Sequence, residues 1–342
     1  MEFLEDLHKV IKKYTTLPFD NYLLQMNAEY RYYHNLSHVE YLFNLINKLY
    51  AEDPEINRLK YLAAIHDYYY NPKLMNGENE KKSAELSKSI YYKFNKYPHD
   101  ILYDAIIDTA THKNYSSELS RKFGELDMHI LKSEFIGDLI QYEEKIMKEF
   151  QFCDYSLYKE GRLKFLHSLD QNDYESIHQL IDYVDNKQID LGIYPGSFYP
   201  LHNGHEYVLD QTKHLFDKTI LAFGKNPNKA FDREKEVYIT SLKNSNKLFN
   251  QIEVFDNLLA NFVSNLDKKL YKSITIIKGI RNSQDLEFEK IQEQYTKEFN
   301  PNIKFIYILT PPHLQHISSS AIKDLKSFDI EKAKKYTNYP NW

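Results

Sequence analysis

The ten residues from 196 to 205, GSFYPLHNGH, have the residue types expected of a phosphate-binding loop. Gly196 and Gly204 allow the backbone to come close to a ligand. The stretch follows a short apolar run and precedes a segment with helical spacing, so it ends where a helix begins. The first N–H groups of a helix and its positive dipole end attract anions. We therefore expect His205, in the first helical turn, to face a phosphate group.

A second group of residues that could do chemistry lies in the first half of the chain. His34 and His38 are four residues apart, His66 and Asp67 are adjacent within an apolar segment, and His112 ends a predicted helix. Imidazoles and carboxylates that converge from several helices form a mixed nitrogen and oxygen site, which suits Mn²⁺, Fe²⁺, Mg²⁺ or Zn²⁺. A divalent metal in such a site can activate water for attack on a phosphate ester.

The elements that must position these histidines are helices. Apolar residues recur at three- and four-residue spacing through the first 185 or so residues, and no strand pattern interrupts them. The predicted helices are 3–14, 38–50, 56–70, 80–94, 101–112, 135–150, 162–169 and 174–184. We place His66 and Asp67 inside the third of them.

The pattern changes near residue 187. Strands are predicted at 190–194, 219–223, 252–255, 274–277 and 304–309, and helices at 204–216, 233–246, 258–265, 283–299 and after Ser318. This alternation predicts a parallel sheet with helices on both faces. Ligands bind beyond the carboxyl ends of such strands. The segments that follow the five strands, 197–205, 225–229, 258–259, 278–281 and 317–320, all suit a phosphate or another ligand.

The composition limits the classes of function that are open to the chain. With 342 residues, 42% apolar and 27% charged, it suits a globular protein of about two domains. The net charge of −5 argues against a nucleic-acid or membrane-surface binder. We expect no membrane span and no signal peptide. The single cysteine, Cys153, cannot form an internal disulfide, so we expect a cytoplasmic protein.

Residues 190 to about 326 resemble the phosphopantetheine adenylyltransferases, within the nucleotidyltransferases marked by (H/T)xGH. The matching segments, in family order, are YPGSF (194–198), NGH (203–205), LFDK (215–218), NPNK (226–229), LANF (259–262), GIR (279–281), DLEFE (285–289) and ISSS (317–320). The resemblance implies a Rossmann-like domain that transfers AMP from ATP to 4′-phosphopantetheine, giving dephospho-CoA and pyrophosphate.

The same resemblance implies roles for individual residues. Catalytic roles fall to His205, Lys229 and Arg281. ATP contacts fall to Ser197, Phe198, His205, Gly279, Ile280, Arg281, Glu289, Ser318, Ser319 and Ser320. Contacts to the acceptor fall to Ser197, Lys229, Leu259 and Lys278. Mg²⁺ would accompany ATP, and since the family often forms hexamers we expect a homo-oligomer.

Several positions depart from the family pattern. Tyr199 stands where an Asp is usual, His202 replaces a common Thr, and Lys278 replaces the usual Arg. Thr296 and Lys297 stand where the family has Asn-Arg. A His at position 202 also occurs in adenylyltransferases for nicotinate or nicotinamide mononucleotide. A pyridine mononucleotide therefore stays open as an alternative acceptor, with a non-catalytic or regulatory helical half.

The first half resembles the HD superfamily of metal-dependent phosphohydrolases over roughly residues 28 to 170. The segments that carry the resemblance are RYYHNLSH (31–38), AIHD (64–67), NEKKSA (79–84), LD (126–127) and GR (161–162). It implies that His38, His66, Asp67 and Asp127 bind a divalent metal, with His34 and His112 as extra ligands or phosphate contacts.

Together the two resemblances predict a bifunctional enzyme. An all-α HD-type domain would occupy residues 1–187, and an α/β nucleotidyltransferase domain with five parallel strands would occupy residues 188–342. The hydrolase substrate stays open between a nucleotide, a phosphomonoester and a pyrophosphate-linked cofactor. A helical half that only binds metal or nucleotide, or mediates assembly, is the alternative from another class of function.

Overall fold

The structure, a computed structural model, describes residues 2–90, 100–169, 176–225 and 233–339. The chain divides into two compact units. The first comprises Met1–Phe150 and Gly161–Asp185, and the second comprises Gln151–Glu160 and Asn186–Trp342. Gln151–Glu160 thus belongs to the second unit although it precedes the boundary predicted near residue 187.

The chain up to Asn186 is helical in its described parts. Its helices are α1 (Glu2–Tyr14), α2 (Phe19–Met26), α3 (Leu36–Leu49), α4 (Ile56–Ile65), α5 (Glu78–Ile90), α6 (Asp100–Asp108), α7 (Glu118–Asp127), α8 (Ile136–Glu149), α9 (Tyr155–His167) and α10 (Ile177–Asn186). A short 3₁₀ turn, Met128–Lys132, follows α7. Part of the predicted helix 80–94 lies outside the described residues.

Helix α4 is central to the first unit. Its residues 61–65 are at most 1% exposed, because apolar side chains from neighbouring helices surround it on several sides. The core around it includes Leu7 and Ile11 of α1, Leu42, Phe43 and Ile46 of α3, Ala105 and Ile106 of α6, and Phe123 of α7. Rigid packing of this kind fixes the position of whatever follows the last turn of α4.

Two helix ends differ from the prediction and both affect functional candidates. Helix α4 ends at Ile65 rather than at residue 70, so His66 and Asp67 follow the helix instead of lying inside it. Arg31 accounts for this end, because its guanidinium donates hydrogen bonds to the carbonyl oxygens of Asp67 and Tyr68 at 2.8 and 2.7 Å. Helix α6 likewise ends at Asp108, before His112.

Two helices of the first unit were not predicted. Helix α2 has only eight residues and begins after Pro18, which cannot donate a backbone hydrogen bond. Helix α7 is mostly polar, but Ser117 caps it by accepting the N–H of Ser120 at 3.1 Å.

The second unit contains the predicted five-stranded parallel sheet. The strands β1 (Ile189–Gly196), β2 (Lys218–Gly224), β3 (Gln251–Phe255), β4 (Tyr271–Ile280) and β5 (Lys304–Leu309) lie in the order β3-β2-β1-β4-β5. Its helices are α11 (Asn203–Thr212), α12 (Arg233–Lys243), α13 (Leu259–Ser264), α14 (Ser283–Phe299), α15 (Ser319–Phe328) and α16 (Ile330–Lys334). Strands β1 and β4 are neighbours, with Ile193 opposite Ile276.

This strand order places a topological switch between β1 and β4. The chain leaves β1 toward β2 on one side and leaves β4 toward β5 on the other. The loops that follow β1 and β4 therefore diverge and leave a crevice at the carboxyl edge of the sheet. Close packing supports this pair, since a Cβ at Gly192 would lie 2.7 Å from Ile277 Cδ1.

Residues Gln151–Glu160 contact the opposite, amino edge of the sheet. Lys218, at the start of β2, is 4% exposed and donates from Nζ to the carbonyls of Gln151 and Cys153, each at 2.6 Å. Burial lowers the pKa of Lys218 to about 8. The segment thus covers the end of the sheet away from the crevice.

Among the residues that the structure describes, no helix is long and apolar enough to cross a membrane.

Candidate functional site

A cleft of about 350 Å³ lies at the switch between β1 and β4. The predicted site residues that line it are Ser197, Phe198, His205, Lys278, Gly279, Arg281, Glu289, Ser318, Ser319 and Ser320. Ile280 is 1% exposed and does not belong to the lining, and its carbonyl accepts the hydroxyl of Thr310 at 2.8 Å. Lys229 lies outside the described residues.

The loop after β1 is folded around the ring of Phe198. Phe198 has a positive φ of 42°, which is uncommon for a residue with a side chain. Its ring packs edge-on against His205 and Phe223 with centroid distances of 4.9 and 5.1 Å. A Cβ at Gly196 would lie 2.7 Å from Phe198 Cζ, so this position requires glycine. The result is an apolar support beneath His205.

Two stacked histidines begin α11. Their ring centroids are 3.6 Å apart and the ring planes differ by 22°. His202 Nδ1 accepts the Gly204 N–H at 3.2 Å, and His205 Nδ1 accepts the His202 N–H at 3.3 Å. In a neutral imidazole with Nδ1 as acceptor, the hydrogen is on Nε2. The helix start therefore fixes His205 as a donor through Nε2.

The surroundings keep both histidines neutral. Burial lowers the pKa of His202 to about 4, with a further contribution from the nearby Arg281. Burial, His202 and Arg281 together hold the pKa of His205 well below its usual value. At neutral pH His205 thus presents a neutral N–H group, suited to stabilise charge that develops on a phosphate oxygen.

Arg281 is held at the cleft by Asp285, a carboxylate in a matching segment of the sequence to which no role of its own was assigned. Its Nε and Nη2 donate to Asp285 at 2.8 and 3.0 Å. Asn282 caps α14 by accepting the Asp285 N–H at 2.9 Å. A guanidinium has five N–H donors, so further donors remain for an anion in the cleft.

The start of α15 forms another wall of the cleft. Ser318 caps this helix by accepting the N–H of Ala321 at 3.1 Å. Ser319 donates from Oγ to the carbonyl of Pro200 at 2.9 Å, which ties the helix start to the loop after β1. The backbone N–H groups of the first turn and the positive dipole end suit the outer phosphates of a nucleotide.

A second cavity of about 420 Å³ shares one wall with the cleft. The shared residues are Pro195, Gly196, Ser197, Lys278 and Glu289. Most of the remaining lining is apolar or aromatic: Phe255, Leu258, Leu259, Ala260, Tyr295, Phe299 and Phe305, with Gly224, Asn257, Gln292 and Thr296. Such a cavity suits a long, mainly uncharged organic group.

The first unit brings four predicted ligands together. His38 Nε2 lies 3.1 Å from Asp127 Oδ1, and His66 Nε2 lies 3.0 Å from Asp67 Oδ2 and 3.4 Å from Asp127 Oδ1. Ligand atoms of His38, His66 and Asp67 all lie within 4.8 Å of one another. His38 lies in the first turn of α3, His66 and Asp67 follow α4, and Asp127 ends α7, so the cluster forms where these helices begin or end.

His66 indicates that the cluster is built around a positive charge. Its Nδ1 lies 3.2 Å from the Leu62 carbonyl, the geometry of an N–H donor. Its buried Nε2 has no hydrogen-bond partner, although carboxylate oxygens of Asp67 and Asp127 face it. Burial alone would lower the pKa of His66, but the two carboxylates raise it well above its usual value. A divalent metal would supply the same positive charge, and the mixed donor set fits one.

His112 approaches the same carboxylate from the other side. Its Nε2 lies 3.4 Å from Asp127 Oδ2. Its backbone has a positive φ of 52°, an uncommon conformation for a residue with a side chain. The structure therefore brings His112 to the cluster through a turn rather than through the end of a helix.

Buried Glu149, which the sequence did not single out, holds His34. Its carboxylate accepts His34 Nδ1 and the Tyr70 hydroxyl at 2.6 Å each, and the N–H groups of Tyr33 and His34 at 2.7 and 2.9 Å. Burial would lower the pKa of His34, but Glu149, Asp67 and Asp127 outweigh it and raise this pKa to about 9. A carboxylate behind a histidine is the usual way of orienting a metal ligand or a phosphate contact.

We predict that His205 is a neutral imidazole with its hydrogen on Nε2 from pH 6.5 to 8. Its pKa lies well below 6.5, so deprotonation is complete throughout this range. Nitrogen-15 NMR of histidine-labelled protein, with the signal assigned by a His205→Asn variant, measures the tautomer. A charged ring, or a hydrogen on Nδ1, would contradict the geometry of the helix start.

We also predict that chelator-treated protein loses stability in the first unit as pH rises toward 9. The folded-state pKa of His34 is raised to about 9. The stability that protonated His34 contributes is therefore complete below about pH 6.5 and is lost as the pH rises through about 9. Urea unfolding followed by helical circular dichroism should show a loss of roughly 2 kcal/mol. His34→Gln should reduce this dependence without abolishing it, since the pKa of His66 is raised as well, and exposed His167→Gln should keep it in full. A flat profile in the chelator-treated wild type would refute the His34–Glu149 assignment.

Comparison with known proteins concerns the second unit. Residues 193–325 match the family described as Cytidylyltransferase-like. A phosphopantetheine adenylyltransferase of Cytophaga hutchinsonii is 33% identical over 141 residues, covering 41% of this chain and 91% of that protein. The one from Mycoplasma mycoides is 32% identical over 136 residues, with coverage of 40% and 96%.

A third relative comes from Caldanaerobacter subterraneus. This phosphopantetheine adenylyltransferase is 36% identical over 140 residues, which cover 40% of this chain and 84% of that protein. The alignments span 84% to 96% of the length of these relatives, whereas they cover two fifths of this chain. Through its C-terminal half, the chain belongs to the phosphopantetheine adenylyltransferase family.

Proposed function

We propose that the second unit transfers the adenylyl group of ATP to 4′-phosphopantetheine, giving dephospho-CoA and pyrophosphate. The observation that carries the proposal is the fixed Nε2–H of His205 in a cleft that also presents Arg281 and the start of α15. The three relatives support the proposal, since each is named a phosphopantetheine adenylyltransferase. The adjoining apolar cavity suits the pantetheine arm, since it places an organic acceptor beside the phosphates.

The reaction needs no covalent enzyme intermediate. A phosphate oxygen of the acceptor attacks the α-phosphorus of ATP, and the bond from that phosphorus to the β-bridging oxygen breaks as pyrophosphate leaves. His205 donates from Nε2 to an α-phosphate oxygen, while Arg281 and the first turn of α15 hold the outer phosphates. Mg²⁺, when bound with ATP, would neutralise part of the phosphate charge.

We expect pyrophosphate release from ATP and Mg²⁺ with 4′-phosphopantetheine. His205→Ala should lower kcat by about 10²–10³ with little change in ATP affinity, because it removes one preorganised transition-state contact. Exposed His214→Ala is the matched control and should keep full turnover. Release only with nicotinate or nicotinamide mononucleotide would refute the acceptor assignment, and unchanged turnover of the His205 variant would refute its role.

We further propose that the first unit is a metal-dependent phosphohydrolase of the HD type. The observation that favours this is the cluster of His38, His66, Asp67 and Asp127, in which the buried Nε2 of His66 faces two carboxylates and has no hydrogen-bond partner. These four residues would hold a divalent metal, which would supply an activated water for hydrolysis of a phosphate ester. His34 and His112 lie where they can contact the substrate phosphate or complete the ligand set.

Metal analysis of the purified full-length protein tests this second proposal. We expect bound divalent metal in the wild type and its loss in His66→Ala and Asp67→Ala, because each removes a ligand. Exposed His178→Ala should keep the metal. Hydrolysis of nucleotides and phosphomonoesters, measured on the same samples, should follow the metal content. Retained metal in the ligand variants would contradict the site, and metal without hydrolysis would favour a non-catalytic binding module.

A further inference from the structure

One ion pair stands in the wall that the cleft and the second cavity share. Lys278 Nζ, from β4, lies 2.7 Å from Glu289 Oε2, from α14. The two side chains are 14% and 22% exposed. Since water screens a pair this enclosed only in part, the pair is a substantial electrostatic feature of both cavities.

The charges of the described residues that line the second cavity balance before any ligand enters. Among the described residues of its lining, Lys278 is the cation and Glu289 is the anion. A phosphorylated acceptor brings a phosphate monoester, which carries nearly two negative charges at neutral pH. The described wall therefore presents this phosphate with a cation that a carboxylate has already neutralised.

A lysine holds two anions less favourably than an arginine does, because both must approach one nitrogen and repel each other there. Its ammonium is a single point with three donors, whereas a guanidinium presents five donors on a planar fork. A guanidinium at position 278 could hold a carboxylate along one edge and a phosphate along another. With lysine at this position, the acceptor phosphate and Glu289 compete for the same nitrogen.

The following inference rests on the proposed transfer to a phosphorylated acceptor. We propose that Glu289 sets the affinity for that acceptor through an exchange of ion-pair partners at Lys278. Glu289 holds Lys278 when the acceptor is absent and yields it to the acceptor's phosphate monoester when the acceptor binds. The Glu289 side chain is 22% exposed but its Oε2 is buried, so the released carboxylate must turn toward the exposed part of the side chain to reach water. Glu289 is thus a specificity-determining residue of the acceptor site, in addition to any contact with ATP.

The full-length Glu289→Gln variant tests the exchange. Its dissociation constant for 4′-phosphopantetheine should fall about fivefold, because the phosphate no longer displaces an ion-paired carboxylate. The inhibition constant of unphosphorylated pantetheine should stay the same. Glu293→Gln is the matched control, because Glu293 lies one turn further along α14, pairs with Lys297 and lines neither cavity. It should change neither constant.

A second variant keeps the test decisive if Glu289→Gln folds poorly. Lys278→Arg should bind 4′-phosphopantetheine more tightly than the wild type, since its guanidinium can hold both anions. In the Lys278→Arg background, Glu289→Gln should increase the affinity for 4′-phosphopantetheine less than it does with Lys278 present. Weaker binding of the phosphorylated ligand in both variants, or equal changes for both ligands, would overturn the exchange.

The two proposals fail in different ways. If the wild type transfers adenylyl groups to 4′-phosphopantetheine but Glu289→Gln does not bind it more tightly, the exchange is wrong and the proposed reaction stands. If the wild type instead uses a pyridine mononucleotide, the proposed acceptor is wrong. The same variants then test the exchange with that mononucleotide, which also carries a phosphate monoester.

Discussion

The hydrogen bond from the His202 N–H to His205 Nδ1 is the interaction on which the candidate transferase site depends. It removes one of the two possible neutral tautomers of His205 and leaves an Nε2–H group as the donor. Burial and the stacked His202 keep the ring uncharged. Without this bond the ring could present a lone pair to the phosphates, which would repel the oxygens instead of stabilising them. The loop glycine at 196 and the ring of Phe198 serve mainly to hold this arrangement.

Charge balance is the common theme of the two units. The cluster in the first unit gathers carboxylates around buried imidazoles, so it is short of positive charge at its centre. The cleft in the second unit gathers Arg281, Lys278 and a helix start, so it is suited to anions. In each unit a carboxylate both balances the charge of a functional group and orients its side chain. Glu149 does this for His34, and Asp285 does it for Arg281.

The sequence predicted the parallel sheet and the loops that meet at its carboxyl edge, because both follow from local periodicity and from strand order. The sequence also singled out His38, His66 and His112, which the structure places around Asp127. It did not predict Glu149, since a carboxylate more than a hundred residues from His34 has no local signal. Nor did it predict that α4 ends at Ile65, because Arg31 imposes that end through tertiary hydrogen bonds. The Lys278–Glu289 pair joins a strand to a helix and likewise required the structure.

The central claim is that His205 donates from Nε2 to the phosphate that is transferred. The most direct measurement is a crystal structure of the full-length protein with a non-hydrolysable ATP analogue. We predict the analogue in the cleft between β1 and β4, with Nε2 of His205 within hydrogen-bond distance of an α-phosphate oxygen. An analogue bound elsewhere, or a His205 ring turned away from the α-phosphate, would contradict the account.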